Sequence, residues 1–218
     1  MRLALVSSDQ ECDWYARQAA RFGGGALVLG SGDGRVAFAL ARRGLEVTAV
    51  EPSESFFALG ESARAEQEVE VKLLRADLRA LRLAERFSAV VAPQNALGLM
   101  ANSDEVDALL ATVKHHLSLE GGFLFDLRGA SVSDAGNVDL FGRQAFLPHL
   151  RGRKENARAG PIRRLRRHQL DPIQLEVSLK HAGLEARERY GDFLGRPWDE
   201  ADEVQVVVAG CAGNARGR

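Results

Sequence analysis

Apolar residues along the chain form two kinds of pattern, short continuous runs and longer segments with a helical period. Ser8 and Glu11 stand at the spacing of a capping box, which predicts a helix from there to about Phe22, stopped by Gly23, Gly24 and Gly25. "ALVLG", Ala26 to Gly30, is a wholly apolar run of the kind buried on both faces of a parallel sheet, and "RVAFALARRG" reads as a helix closed by Gly44. "EVTAV" is the next strand, Ser53 to about Gln67 a helix, and "VEVKLL" and "FSAVVA" two further strands. Asn102 caps a helix, with Glu105 at the capping-box distance, and Val106, Leu109, Leu110, Val113 and Leu117 make one apolar stripe along it. "GGFLFDL" resumes the sheet.

This alternation predicts an α/β fold, a doubly wound and mostly parallel sheet with helices on both faces. After Asp126 the pattern lapses, and residues 128–169 read as an inserted lid segment over the strand ends. Asp171 and Pro172 supply an N-cap and an N1 proline for a helix to Gly183, followed by the strands "LEARERY" and "EVQVVVAG". The expected organisation is an N-terminal helical cap (1–25), one main domain (26–127 and 170–210), the insertion (128–169) and a frayed tail (211–218).

Composition narrows the class without changing this picture. The 218 residues, 45% hydrophobic and 27% charged, suit one globular domain with a single core. No apolar run approaches the ~20 residues that cross a bilayer, and the N-terminus lacks the length of a secretory leader. Cys12 and Cys211 lie at opposite ends with no metal-ligand spacing, which fits a reducing, cytoplasmic setting and predicts no metal. A net charge of −1 gives no reason to expect nucleic acid as a partner. One segment departs from that balance: Arg143, Arg151, Arg153, Lys154, Arg158, Arg163, Arg164, Arg166 and Arg167 face only Glu155. It reads either as a solvated face or as a lid that meets an acidic substrate or partner.

The candidate chemistry lies in "VLGSGDGRVA". A strand, a glycine-rich turn and a helix start aim backbone N–H groups and the positive helix end at a ligand. The dinucleotide fingerprint would need a third glycine where Arg35 stands, and no Gly-Lys-Ser/Thr follows as in a P-loop. A nicotinamide-dependent oxidoreductase is therefore disfavoured. Together with Glu51 at the end of the second strand and Asp77 in "RADLRAL", the turn resembles that of the class I S-adenosylmethionine-dependent methyltransferases. The resemblance continues in "FSAVVAPQNAL", "LEGGFLFDLRG" and "LKHAGLEARERYGDF".

The resemblance implies a seven-stranded Rossmann-like sheet with an antiparallel last strand, and S-adenosylmethionine as cofactor. It implies a cofactor site of Gly30, Ser31, Gly32, Asp33, Gly34, Glu51, Pro52, Asp77, Leu78, Ala92 and Asn95, with Glu51 accepting from the ribose hydroxyls and Asp77 from the adenine amino group. Read from the residues alone, Glu51 could be an exposed strand-end acid, Asp77 a turn cap and Asn95 a turn residue. Tyr15 either lies over the cofactor or packs against the sheet. Val28 departs from the family, which usually has an acid there that helps hold the methionine ammonium; backbone carbonyls near Gly30 and Asp33 are the expected substitutes. Ser88 is a second departure, at a structural position.

Transfer of an already activated methyl group needs alignment and exclusion of water, so no catalytic residue is obligatory. Asn95, Asp126, His149 and His168 are the substrate-side candidates, with the two histidines as possible bases, while His115 and His116 read as helix C-terminal residues. The expected acceptor is a small molecule, with an anionic group if the basic segment is a lid. Nothing resembles the asparagine-proline-proline-tyrosine motif of nucleic-acid amino methyltransferases. The alternative is a scaffold that binds the cofactor weakly or not at all and uses Arg163 to Arg167 to hold an acidic partner.

Overall fold

A computed structural model describes residues 8–128 and 170–213. The predicted insertion, with its basic segment, His149 and His168, lies outside the described residues. The elements run α1 (Ser8–Ala20), β1 (Gly25–Leu29), α2 (Arg35–Arg42), β2 (Glu46–Val50), α3 (Glu54–Arg64), β3 (Val71–Leu74), β4 (Phe87–Ala92), α4 (Ser103–His116), β5 (Leu117–Arg128), α5 (Pro172–His181), β6 (Leu184–Tyr190) and β7 (Val204–Cys211).

The strands make one seven-stranded sheet in the order β3-β2-β1-β4-β5-β7-β6. All pairs from β3 to β5 are parallel, whereas β7 runs antiparallel to both β5 and β6. The chain starts at β1 in the middle, builds outward through β2 and β3, then crosses back to β4. That reversal beside β1 opens a crevice at the strands' carboxyl ends, the place where open α/β sheets take their ligands.

Both faces of the sheet are covered, which explains the continuous apolar runs of β1 and β4. Leu27, Leu29, Val90 and Phe125 pack toward α4 and α5 through Leu109, Leu110, Leu175 and Leu179. Ala26, Val28, Ala49 and Val91 pack on the opposite face with Trp14, Tyr15, Val36 and Leu40 of α1 and α2. Burying such a Leu or Val side chain is worth about 1.5–3 kcal/mol, so each layer holds the sheet from its own side.

The helix ends carry the chemistry their sequence announces. Asn102 accepts from the Glu105 N–H, and Asp171 with Gln174 closes a capping box ahead of Pro172. Two expectations change at the C-terminal end of α4. Leu117, assigned to the helical stripe, leaves the helix with φ −76° and ψ 129° and opens β5 directly, four residues before the expected start. Its side chain is buried either way, so the apolar period runs across the helix end without marking it. His116 is not merely a helix-end residue: fully buried, it holds the Thr112 carbonyl through Nδ1 and accepts from the Leu83 N–H at Nε2, both at 2.8 Å.

Candidate functional site

The glycine turn hangs from the end of β2. The Gly30 and Ser31 N–H groups both donate to the Val50 carbonyl, at 2.9 and 3.1 Å, which brings the turn against the next residue, Glu51. Gly34 has φ 89°, and a Cβ there would come within 2.5 Å of the Phe38 ring. Only glycine combines this left-handed backbone with the room Phe38 needs as α2 begins. Behind the turn, Gly60 of α3 packs so closely that a Cβ would stand 3.4 Å from the Gly32 carbonyl oxygen.

Glu51 is buried and doubly anchored. One carboxylate oxygen accepts from the Gly32 N–H at 2.8 Å, the other from the Ser53 N–H at 2.9 Å. Burial raises its pKa, and these two backbone donors partly restore the charged form. It is therefore not an exposed strand-end acid. Each oxygen keeps a second lone pair, the equipment to accept from two adjacent hydroxyls.

Beyond Glu51, an open cleft of about 400 Å³ is lined by Pro52, Arg75, Ala76, Asp77, Leu78, Arg79, Met100 and Glu105. Asp77 lies at its exposed edge and accepts from the Arg79 side chain at 3.0 and 2.7 Å and from its N–H at 2.9 Å. These bonds hold its carboxyl below the usual range. Arg79 also pairs with Glu105 of α4, a link between the two sides of the cleft that the sequence reading missed. Leu78 is buried beneath the cleft, where its side chain lies 3.6 Å from the position of a Cβ on Gly30.

The other side of the glycine turn is a mouth built from α1, the loop after β4 and the end of β5. Asp126 is buried there and accepts from the Tyr15 hydroxyl at 2.7 Å, from the Asn95 N–H at 2.9 Å, and from the Gln94 N–H. Gln94 and Asn95 have φ of 61° and 60°, a left-handed pair that non-glycine residues avoid. The Asp126 carboxylate holds this loop in place, and Asn95 Oδ1 accepts in turn from the Arg128 N–H at 3.2 Å. Burial pushes the Asp126 carboxyl up, against the opposing pull of its hydrogen bonds.

The structure thus brings the glycine turn, Glu51, Pro52, Asp77 and Leu78 to one side of the crevice and Asn95 and Asp126 to the other. Ala92 is buried at the end of β4. Tyr15 is fully buried against Trp14 and Phe193, with its hydroxyl committed to Asp126, so it braces the mouth from behind. Asp33 is paired with Arg35 within the turn, Nε to Oδ1 at 3.2 Å. Glu11, at the capping-box spacing from Ser8, also belongs to the mouth, one helical turn before Tyr15, where desolvation first and then the Asp126 charge push its pKa up to about 7. Its signal was the i, i+4 spacing to Tyr15, which puts both on one face of α1.

Residues 26–121 match a family model described as a methyltransferase domain. A curated relative, the cypemycin N-terminal methyltransferase of a Streptomyces species, is 31% identical over 113 residues, 52% of this chain and 45% of the relative. The chain spans less than half the length of the curated relatives it matches. Among solved structures, an S-adenosylmethionine-dependent methyltransferase of Clostridium acetobutylicum superposes with a TM-score of 0.75 at 16% identity, covering 95% of this chain and 93% of the other. The glycopeptide N-methyltransferase MtfA in complex with S-adenosylmethionine superposes at 0.65 with 22% identity, covering 92% and 94%. Residues 26–121 are therefore similar to the methyltransferase-domain family, and the fold is that of the solved S-adenosylmethionine-dependent methyltransferases.

Proposed function

We propose that the protein transfers the methyl group of S-adenosylmethionine to a small-molecule acceptor. The observation that carries this reading is Glu51, buried at the end of β2 with one backbone N–H on each carboxylate oxygen and further lone pairs to spare. Its position between the glycine turn and the cleft suits a ribose, with Asp77 and Pro52 lining the space for the base. The relative MtfA, bound to S-adenosylmethionine, supports the same choice.

When bound, the cofactor supplies an activated methyl group on a sulfonium. The chain's part is to fix the adenosine at Glu51 and Asp77, and to hold the loop at Gln94 and Asn95 rigid through Asp126. An acceptor then meets the methyl group in line and away from water. A nitrogen nucleophile is the acceptor atom we favour, after the names of the cypemycin and glycopeptide relatives. The basic segment from Arg143 to Arg167 would read an anionic group on that acceptor. Action in the cytoplasm is part of this reading, supported by the unpaired thiols of Cys12 and Cys211. No helix among the described residues is long and apolar enough to cross a membrane.

Calorimetric titration with S-adenosylmethionine, S-adenosylhomocysteine and NAD tests the reading. Micromolar binding of the first two, weak NAD binding and loss of affinity in Glu51→Ala are the expected results. Absence of binding would overturn it in favour of the scaffold alternative that Val28 raised. An acceptor screen over small amines, followed by release of S-adenosylhomocysteine, tests the nitrogen assignment. Neutralising Arg163, Arg164, Arg166 and Arg167 together should weaken the acceptor and leave cofactor affinity nearly unchanged.

A further inference from the structure

The adenosine side of the crevice accounts for the neutral part of the cofactor, but S-adenosylmethionine also carries an α-ammonium. A cation in a half-buried crevice requires a carboxylate close by. The β1 position on this face, Val28, is apolar and fully buried under Trp14 and Tyr15, so β1 supplies no charge there. The spare lone pairs of Glu51 are assigned above to the ribose, and Asp126 is engaged by Tyr15, Gln94 and Asn95. Asp33 is countered by Arg35.

One carboxylate at the mouth is left. Glu11 projects from α1 on the same face as Tyr15 and has no hydrogen-bond partner among the described residues. The groups that face it come from every neighbouring element: Asp126 and Arg128 from β5, Asp33 and Arg35 from the glycine turn and α2, and Cys12 and Tyr15 from α1 itself. Glu11 stands one helical turn before Tyr15, whose hydroxyl reaches Asp126 at 2.7 Å, and its charge interacts with Asp33 and Arg35 beside the glycine turn, so it belongs to the mouth that the tail of a cofactor seated on Glu51 would enter. Desolvation and the Asp126 and Asp33 carboxylates disfavour its charged form, and Arg35 and Arg128 only partly offset them. A bound ammonium would reverse that balance by neutralising the group where it stands.

We propose that Glu11 of α1 holds the α-ammonium of the cofactor, taking from a helix the charge that β1 lacks at Val28. This rests on the cofactor reading above. It predicts that ligands with the amino-acid tail, and only those, are sensitive to Glu11. It also predicts that seating the ammonium expels a proton from the Glu11 carboxyl near neutral pH.

The experiment is calorimetric titration of the full chain with S-adenosylhomocysteine and with 5′-methylthioadenosine, which shares the adenosine and lacks the amino-acid tail. Glu11→Gln should weaken S-adenosylhomocysteine about 10-fold or more, the worth of one charge-assisted hydrogen bond, and change 5′-methylthioadenosine less than about 2-fold. For the unaltered protein, titration near pH 7 in buffers of different ionisation enthalpy should show proton release with S-adenosylhomocysteine and none with 5′-methylthioadenosine. That second measurement stands even if the variant folds poorly. Unchanged S-adenosylhomocysteine affinity in Glu11→Gln, an equal loss for both probes, or equal proton release with both would overturn the proposal and leave the cofactor reading intact. Failure of the unaltered protein to bind either probe would overturn that reading and this inference together.

Discussion

The two sides of the glycine turn use carboxylates in opposite ways. On the side proposed to take the adenosine, Glu51 and Asp77 are each supported by N–H donors, backbone for Glu51 and Arg79 for Asp77. At the mouth, Glu11 and Asp126 crowd together where burial opposes the charge of both. The difference teaches what each side is fitted to receive. Hydroxyl and amino donors are neutral, and a carboxylate meant for them needs only fixed geometry and spare lone pairs. A cation is better served by a carboxylate whose own charge is poorly compensated until the ligand arrives. Tertiary structure buys that condition at a cost in stability.

The strongest way to break the comparison is at Asp126. Asp126→Ala would leave the Tyr15 hydroxyl and the Gln94 and Asn95 N–H groups buried and unpaired, and free two residues from left-handed backbone. The expected loss is about 3–5 kcal/mol of stability, read by denaturant unfolding. It should lower the melting temperature by roughly 10 °C. A loss under about 1 kcal/mol would mean that the mouth is held by packing alone.

Next comes Glu51→Ala, expected to weaken S-adenosylhomocysteine about 100-fold by removing a charged acceptor from two hydroxyls. Asp77→Ala should cost less, about 10-fold or under, because its carboxylate is exposed and already engaged by Arg79. Equal effects at the two sites would erase the distinction between a buried anchor and an exposed edge.

The smallest expected effect concerns stability against pH. Glu11 titrates near 7 in the folded protein and near 4.5 when unfolded, so the folded state binds more protons between those values. Its contribution to stability is therefore fully present below pH 4.5 and is lost as pH rises through about 7. Glu11→Gln should melt a few degrees higher than the unaltered protein at pH 8 and about equally at pH 4.5. A variant less stable at pH 8 would show that the Glu11 charge supports the fold and would remove the contrast between the two sides.

Much of the molecule was legible in the sequence. "FSAVVA" and "LEARERY" are strands over their full predicted lengths, and Asn102 and Asp171 cap the helices they were assigned to. Continuous apolar runs and capping side chains are local signals, and the sheet only confirms what they already favour. The glycine turn was equally legible, because a left-handed backbone at Gly30, Gly32 and Gly34 selects its own residue type. Other features had no local signal. Leu117 continues a helical apolar period yet begins a strand, since a buried position is apolar in either element.

What the sequence determined by itself is the order of elements, the doubly wound class, the turn and the acid that follows it at Glu51. What only the tertiary structure decided is which charges meet. Glu11, Tyr15, Asn95 and Asp126 come from three separate parts of the chain, with Tyr15 and Asp126 111 positions apart. Their pairing depends on α1 lying across the ends of β4 and β5. The strength of a charge depends on what surrounds it in space, and spacing along a chain does not record that.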